Sequence, residues 1–159
     1  MAQKPENSKE ETMKGQTLLA LMMAATLAAC ATGGSISSDP VGSDKVVYHV
    51  NDTAVQAANA LRNAGNHLEV NPKARIVIIT HAQGVDFLFN DAKDKNGNPF
   101  NIPVEQLKSQ GVKFDVCEIT LRNRKLTKDK FIPEVSYVPS GVAEITRLQQ
   151  REGYAYLRP

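Results

Sequence analysis

The stretch that decides the fold is GVKFDVCEITLRNR, residues 111–124. Its first half places the apolar residues Val112, Phe114 and Val116 at every second position, which is the period of a β-strand. Residues 118–126 then follow the pattern of a short helix. Cys117 therefore stands where a strand ends and a helix begins, and in an open α/β sheet binding sites form at this edge.

The position of Cys117 is compatible with two interpretations. The first turn of the following helix leaves backbone N–H groups unpaired, and these favour a negative charge, so a thiol there ionises more easily than a free cysteine. Cysteine is also one of the small apolar residues that fill protein cores. The position alone does not choose between a reactive thiol and a core residue.

Strand and helix patterns alternate along the rest of the chain. Period-two spacing and β-branched runs predict strands at 45–50, 75–80, 112–117, 134–138 and 154–157. Helical spacing, N-cap residues and Gly or Pro boundaries predict helices at 53–70, 85–90, 103–110, 118–126 and from 139–141 to Gly153. This order predicts an α/β protein, a three-layer α/β/α domain with a mainly parallel sheet of about five strands.

The N-terminal region differs in composition from this domain. Residues 17–29 are almost wholly apolar, too short a run to span a bilayer but suited to the core of a signal peptide. Leu27-Ala28-Ala29-Cys30 resembles the bacterial lipobox, in which the cysteine is lipidated. We therefore expect a signal peptide of lipoprotein type at 1–29, a flexible linker at 30–43 and a folded domain at 44–159. The alternative is a buried helix of a cytoplasmic protein.

This organisation predicts a location and the state of the two cysteines. A lipid on Cys30 would anchor the domain at the periplasmic side of a bacterial membrane, and Ala31 favours the outer membrane. Cys117 is then the one free thiol of the mature chain. If Cys30 is not acylated, a disulfide between Cys30 and Cys117 is the competing arrangement in an oxidising compartment.

Composition and motifs exclude several classes of function. The chain has 159 residues, of which 42% are hydrophobic and 23% charged, and this is ordinary for one globular domain. Its formal net charge of +2 is too small to indicate nucleic acid. It has no glycine-rich phosphate loop, and its three histidines lack the spacing of metal ligands. We therefore expect no nucleic-acid partner, no cofactor and no metal.

Polar residues at the ends of three other strands are candidates to meet Cys117. Asn51 follows the first strand, His81 follows the second, and Ser140-Gly141 opens the helix after the fourth. Because the carboxyl ends of parallel strands lie along one edge, we predict Cys117 and His81 as a catalytic pair. Ser140, Gly141 and Asn51 are the predicted substrate-binding residues. The alternative for His81 is a hydrogen-bonded structural residue.

Three segments resemble a known family. Residues 112–121, 138–145 and 149–156 resemble the DsrE/DsrF-like family, with the YchN-like proteins as the nearest branch. The resemblance implies an α/β/α fold, trimers or hexamers and, in several members, a sulfur relay in which a cysteine at the position of Cys117 carries a persulfide. This chain departs from the cytoplasmic sulfur-relay members in its predicted export signal, and from many relatives in His81-Ala82, where they have His-Gly.

The resemblance and the position of Cys117 together predict an exported protein that carries or transfers sulfane sulfur as a persulfide on Cys117. Such a protein is a sulfurtransferase or a persulfide carrier. Its partners would be a sulfur donor or acceptor protein or a small sulfane-sulfur compound. The alternative is a non-catalytic, membrane-tethered binding or assembly subunit in which Cys117 is buried.

A homo-oligomer, a trimer or hexamer by resemblance, is also expected. Phe87, Leu88 and Phe89 follow the second strand, and a short helix there cannot bury all three against its own sheet. At least one of them would then face outward and mark a contact near Cys117. The alternative is that Phe87 and Leu88 close the core and only Phe89 is partly exposed, which requires no partner.

Overall fold

The computed structural model describes residue 1 and residues 44–159. Apart from Met1, the predicted signal peptide, Cys30 and the predicted linker lie outside the described residues. Within the described part of the chain, no helix is both long enough and apolar enough to cross a bilayer.

A sheet of five parallel strands forms the centre of the domain. The strands are β1 (Lys45–Asp52), β2 (Arg75–Gln83), β3 (Lys113–Cys117), β4 (Val135–Val138) and β5 (Ala155–Leu157). Their order across the sheet is β4-β3-β2-β1-β5. The β-branched run of β2 suits its central place, because residues 76–80 are all buried and a central parallel strand is covered on both faces.

Helices follow the first four strands. They are α1 (Ala58–Val70), which continues from a π-helical turn at Thr53–Ala57, α2 (Asn101–Ser109), α3 (Glu118–Arg124) and α4 (Gly141–Glu152). The Ser140 hydroxyl caps α4 by accepting a hydrogen bond from the N–H of Ala143. Gly153 ends α4 in the left-handed conformation that closes many helices.

The sheet separates two apolar cores. On one face, which we call the α1 side, buried residues of the strands pack with α1, α2 and Leu121 of α3. On the other, the α4 side, Val47, Val77 and Ile79 pack against Ile145 and Leu148 of α4. The predicted fold class is thus confirmed as a five-stranded parallel sheet flanked by helices.

Differences from the predicted elements are local. The predicted helix at 85–90 is only a 3₁₀ turn at Asp86–Leu88. The predicted helix at 118–126 ends at Arg124, because Lys125 adopts a left-handed backbone with φ 55°. Strands β1 and β2 run past their predicted ends at Val50 and Thr80, and their pairing there is irregular.

The residues after β2 follow the alternative given above, in which only Phe89 is partly exposed, and not the expectation of an outward-facing contact residue. Phe87 and Leu88 are fully buried, and they are part of the core on the α1 side. Phe89 is half-buried and packs edge-on against Phe131, with ring centroids 5.0 Å apart. A 3₁₀ turn, unlike the predicted helix, directs these side chains back to the sheet. They therefore give no support to an interface at this place.

Candidate functional site

Cys117 lies at the point where the chain connections change sides of the sheet. It is the last residue of β3 and the N-cap of α3, and its register partner on β4 is Val138. Helix α3 leaves β3 toward the α1 side, whereas α4 leaves β4 toward the α4 side. Such a switch point opens a crevice at the carboxyl ends of two adjacent strands, and ligands of open α/β sheets bind there.

The N-termini of both helices converge on the Cys117 sulfur. The backbone N–H groups of Gly141, Thr120 and Ile119 and the hydroxyl of Thr120 act on the pKa of the Cys117 thiol as hydrogen-bond donors. Burial, the largest single influence, raises the pKa of the thiol, but these four hydrogen bonds together outweigh it and the pKa is lowered. The site therefore favours a thiolate, although Cys117 is only 5% exposed.

Gly141 owes its contact with the thiol to the absence of a side chain. A Cβ at this position would lie 3.3 Å from the Cβ of Cys117 and 3.3 Å from Cγ2 of Ile79. Both distances are tighter than most Cβ contacts, so glycine lets the first N–H of α4 approach the sulfur without displacing its neighbours. Ser140 stands next to it and caps α4, with its Oγ 3.4 Å from the nitrogen of Ala143.

The Thr120 hydroxyl is oriented by a neighbouring loop. The Ala82 N–H donates to Oγ1 of Thr120 over 3.0 Å, and this leaves the hydroxyl proton free to point at the sulfur. Ala82 itself has φ 52°, a left-handed conformation that costs a non-glycine residue roughly 1 kcal/mol. Arg124 holds this loop, because its Nη1 donates to the Ala82 carbonyl over 2.9 Å and to Oδ1 of Asp86 over 2.6 Å.

His81 contacts a second histidine. Its Nε2 lies 2.6 Å from Nε2 of His49, and Nδ1 of His49 lies 2.7 Å from the hydroxyl of Tyr156. Burial and, after it, the positive charge of Arg158 lower the pKa of His81. Burial, His81 and Arg158, in that order, lower the pKa of His49 to about 4. No hydrogen bond in the described part of the chain joins His81 to Cys117.

Asn51 lies apart from the thiol. Its Oδ1 accepts a hydrogen bond from Nη2 of Arg158 over 3.2 Å, and its backbone N–H donates to Oε1 of Gln56 over 2.9 Å. Of the predicted site residues, the structure thus brings Gly141 to Cys117, and Ser140 caps the helix that Gly141 begins. It places His81 in a separate cluster with His49 and Tyr156, and it engages Asn51 with the C-terminal segment.

Sequence reasoning did not identify Thr120, His49 or Tyr156 as site residues. For His49 a signal was present, because the period of two places it on the same face of β1 as Val47, and β1 is adjacent to β2. Thr120 had no comparable signal, since its role depends on the left-handed turn at Ala82.

Two further features bear on ligands. Across residues 44–159, no three His, Cys, Asp or Glu side chains converge as a metal centre requires. A groove of about 1050 Å³ runs between α1 and α2, and its lining includes Leu61, Phe100 and Leu107. The groove contains none of the predicted site residues and lies on the α1 side, so it is not the site around Cys117.

Fold and site together define an α/β protein with a cysteine of lowered pKa at the switch point of a parallel sheet. The chain belongs to the DsrE/DsrF-like family, whose model matches residues 46–159. Membership of this family suggests, in general terms, a role in sulfur relay.

Solved structures with this fold include two that span the described domain. A protein of unknown function from Methanobacterium thermoautotrophicum, MTH1491, is 31% identical with a TM-score of 0.65, over 73% of this chain and 99% of its own. The ychN protein of E. coli is 17% identical with a TM-score of 0.59, over 72% of this chain and 99% of its own, and shows the fold alone. No curated protein sequence matches the chain.

Proposed function

We propose that the protein accepts sulfane sulfur on Cys117 as a persulfide and passes it to an acceptor thiol. The observation that carries the proposal is the set of four donors around the Cys117 sulfur, three backbone N–H groups and the Thr120 hydroxyl. A thiolate is the nucleophile that attacks a sulfane donor, and it is also the leaving group when the sulfur moves on. Donors that hold negative charge on this sulfur therefore assist both steps.

The transfer needs no external oxidant or reductant. In loading, the Cys117 thiolate forms a bond to the outer sulfur of a donor R–S–SH, the S–S bond of the donor breaks, and R–S⁻ leaves. In unloading, an acceptor thiolate attacks the outer sulfur of the Cys117 persulfide, and the Cys117 thiolate leaves into its four donors. The donor is a persulfide on a partner protein or a small polysulfide.

Intact-mass measurement tests the proposal. The chain has two cysteines, so Cys30→Ser leaves Cys117 as the one thiol. After incubation with polysulfide, this variant should gain about 32 Da, the mass of one sulfur atom, and dithiothreitol should remove it. The double variant with Cys117→Ser is the control and should gain nothing. A protein that stays unmodified, or an adduct that persists without Cys117, contradicts the proposal.

The burial of Cys117 supports a second function. A thiol that is 5% exposed also suits a non-catalytic, membrane-tethered binding or assembly subunit in which the cysteine only fills space. Alkylation of the native protein separates the two functions. A persulfide carrier should react with iodoacetamide at neutral pH before it unfolds, whereas the binding subunit should react only after denaturation.

We also propose that the protein is exported and lipid-anchored through Cys30 at the periplasmic side of a bacterial membrane. The support is the sequence Leu27-Ala28-Ala29-Cys30 after an apolar run. In the native host, globomycin should cause a precursor to accumulate, and Cys30→Ala should release the protein from membranes. Recovery of the unprocessed chain in the cytoplasm overturns this part.

We propose, finally, that the domain is a homo-oligomer. Ile119 and Val142, which flank the thiol in the first turns of α3 and α4, are 38% and 57% exposed, and exposed apolar side chains beside a site are typical of contacts. A second subunit would also shield the thiol from water. Sedimentation of the non-lipidated Cys30→Ser protein at micromolar concentration tests this, and a monomer contradicts it. Val142→Asp should dissociate the assembly.

A further inference from the structure

Three side chains on β5, β1 and β2 form one continuous line of hydrogen bonds. The Tyr156 hydroxyl lies 2.7 Å from Nδ1 of His49, and Nε2 of His49 lies 2.6 Å from Nε2 of His81. The two imidazole centroids are 4.8 Å apart. This is close to the distance between the two nitrogens plus the distance from each nitrogen to the centre of its own ring. The two nitrogens therefore face each other directly, and one proton lies between them, because neither atom can donate unless the other accepts.

We propose that Tyr156, His49 and His81 form a proton relay that removes the proton of the acceptor thiol as it enters at Cys117. This inference rests on the proposed function, because it concerns the unloading step of persulfide transfer. An acceptor thiol must lose its proton to attack the outer sulfur. The relay gives that proton a route to solvent at Tyr156, which is 39% exposed on the edge strand β5.

Two arrangements of protons fit the line. In the first, His81 carries its proton on Nε2 and donates to His49, while Nδ1–H of His49 donates to the oxygen of Tyr156. In the second, Tyr156 donates to Nδ1 of His49, Nε2–H of His49 donates to His81, and His81 carries its proton on Nδ1. Both arrangements are neutral, so a proton can pass along the line without a lasting imidazolium.

The balance of the step follows from these two arrangements. The acceptor thiol gives its proton to Nδ1 of His81, the bridging proton moves to His49, and the Nδ1 proton of His49 moves to Tyr156, which releases its own proton to water. The acceptor thiolate then forms a bond to the outer sulfur of the persulfide, and the Cys117 thiolate leaves. One proton enters the line and one leaves it, and no electrons are exchanged with a third reactant.

The electrostatic surroundings favour a relay over a single charged histidine. Arg158 is the charged group that acts on both rings, and each ring would also repel a charge on the other. Burial acts in the same direction, and the pKa of both histidines is lowered. A base that must hold a whole positive charge is therefore poorly suited to this place, whereas a shift between neutral arrangements is not opposed by Arg158.

The topology brings the end of the relay to the edge where the acceptor must enter. Thr80 pairs with Val116, so His81 and Cys117 are the next residues of two adjacent strands. His49 and Ile79 lie on the α4 side, where Gly141 also contacts Cys117. The hydrogen-bond partner of His81 within residues 44–159 is His49 rather than Cys117, and the proposal assigns His81 to the acceptor thiol.

Tyr156→Phe tests the relay, because it removes the outer hydroxyl and leaves both histidines. Persulfide-loaded Cys30→Ser protein is mixed with β-mercaptoethanol, which is protonated at neutral pH, or with thionitrobenzoate, which is already ionised. We expect Tyr156→Phe to slow transfer to the first acceptor by about tenfold or more, and transfer to the second to be unchanged. Tyr154→Phe is the matched control and should alter neither. Equal slowing with both acceptors overturns the proposal.

Ring-nitrogen NMR provides a readout that does not require persulfide. Long-range ¹H–¹⁵N spectra of the unloaded protein should show His49 neutral down to pH 5 and a pKa of His81 below that of a free histidine. The populations of the two arrangements should change in Tyr156→Phe. Independent titration of the two rings near pH 6.5 overturns the relay. If no persulfide forms on Cys117, the proposed function fails, and these spectra still decide whether the line of protons exists.

Discussion

Thr120 contributes to the site through a single hydroxyl with two partners. Oγ1 accepts from the N–H of Ala82, and its proton is directed to the Cys117 sulfur. A hydrogen bond to a charged group is worth about 1.5–3 kcal/mol, more than a bond between neutral groups. The activation of the thiol therefore depends on a side chain that does not itself react.

Thr120→Val should raise the pKa of Cys117 and reduce its alkylation rate at pH 7 by about tenfold, because the thiolate loses one of four donors. Thr120→Ser keeps the hydroxyl and should retain most of the rate. The matched control is Thr146→Val, since Oγ1 of Thr146 bonds only the carbonyl of Val142 within α4. The dependence of the iodoacetamide rate on pH gives the thiol pKa directly. An unchanged profile in Thr120→Val contradicts this role.

The limits of sequence reasoning are clearest for single residues. Cys117 was identified because a change of period from strand to helix is visible in the sequence. Ala82 was recognised only as a departure from His-Gly, and its left-handed backbone and its bond to Thr120 were not predictable. Such contacts join segments 38 residues apart, and no local pattern in the sequence encodes them.

At the scale of elements, α4 is the helix that completes the site from the opposite face of the sheet. Its N-terminus lies against Cys117 because Gly141 has no side chain. Ser140, just before it, is the N-cap that begins the helix. The sequence predicted the start of α4 from Pro139-Ser140-Gly141, but the strand order that brings this start beside β3 was not derivable from it. Helix boundaries are set locally, whereas the neighbour of each strand is set by tertiary packing.

Gly141→Ala should lower the free energy of unfolding by about 1–2 kcal/mol and raise the pKa of Cys117, because the new methyl group displaces the N-terminus of α4 from the sulfur. Gly65→Ala is the matched control. It lies within α1, where a Cβ meets nothing within 4 Å, and it should stabilise the protein by up to about 1 kcal/mol. Urea denaturation and thiol titration measure the two effects. A Gly141→Ala protein with wild-type stability and pKa contradicts the packing argument.

At the scale of the whole molecule, partly or fully buried titrating groups on the α4 side make stability depend on pH. His49 has a folded-state pKa of about 4 against an ordinary value of 6.5. Below pH 6.5 the unfolded chain binds a proton that the folded chain does not, so stability falls as the pH falls from about 6.5 to about 4. Asp115, whose pKa is raised chiefly by burial and then by Glu144, has the opposite effect, because its charged form destabilises the fold as the pH rises.

His49→Gln should therefore reduce the loss of stability between pH 6.5 and pH 4 by about 1–2 kcal/mol, less than full linkage gives because the ring is partly solvated. Asp115→Asn removes the opposing contribution, so in that variant stability should decline less, or not at all, as the pH rises through the acidic range. Urea midpoints measured at several pH values provide the free energies. A His49→Gln protein with the wild-type slope contradicts this assignment.

The crossover from β4 to β5 has a consequence for the order in which the protein folds. Strands β1 to β4 are each adjacent to the next in the chain, but β5 must pair with β1 at the opposite edge, a contact of long sequence separation. Contacts of this kind form late, because loop-closure entropy opposes them until the rest of the sheet is in place. Gly141 and Tyr156 both belong to this last segment. Until this segment docks, the N–H of Gly141, which helps to lower the pKa of Cys117, is not in place beside the thiol.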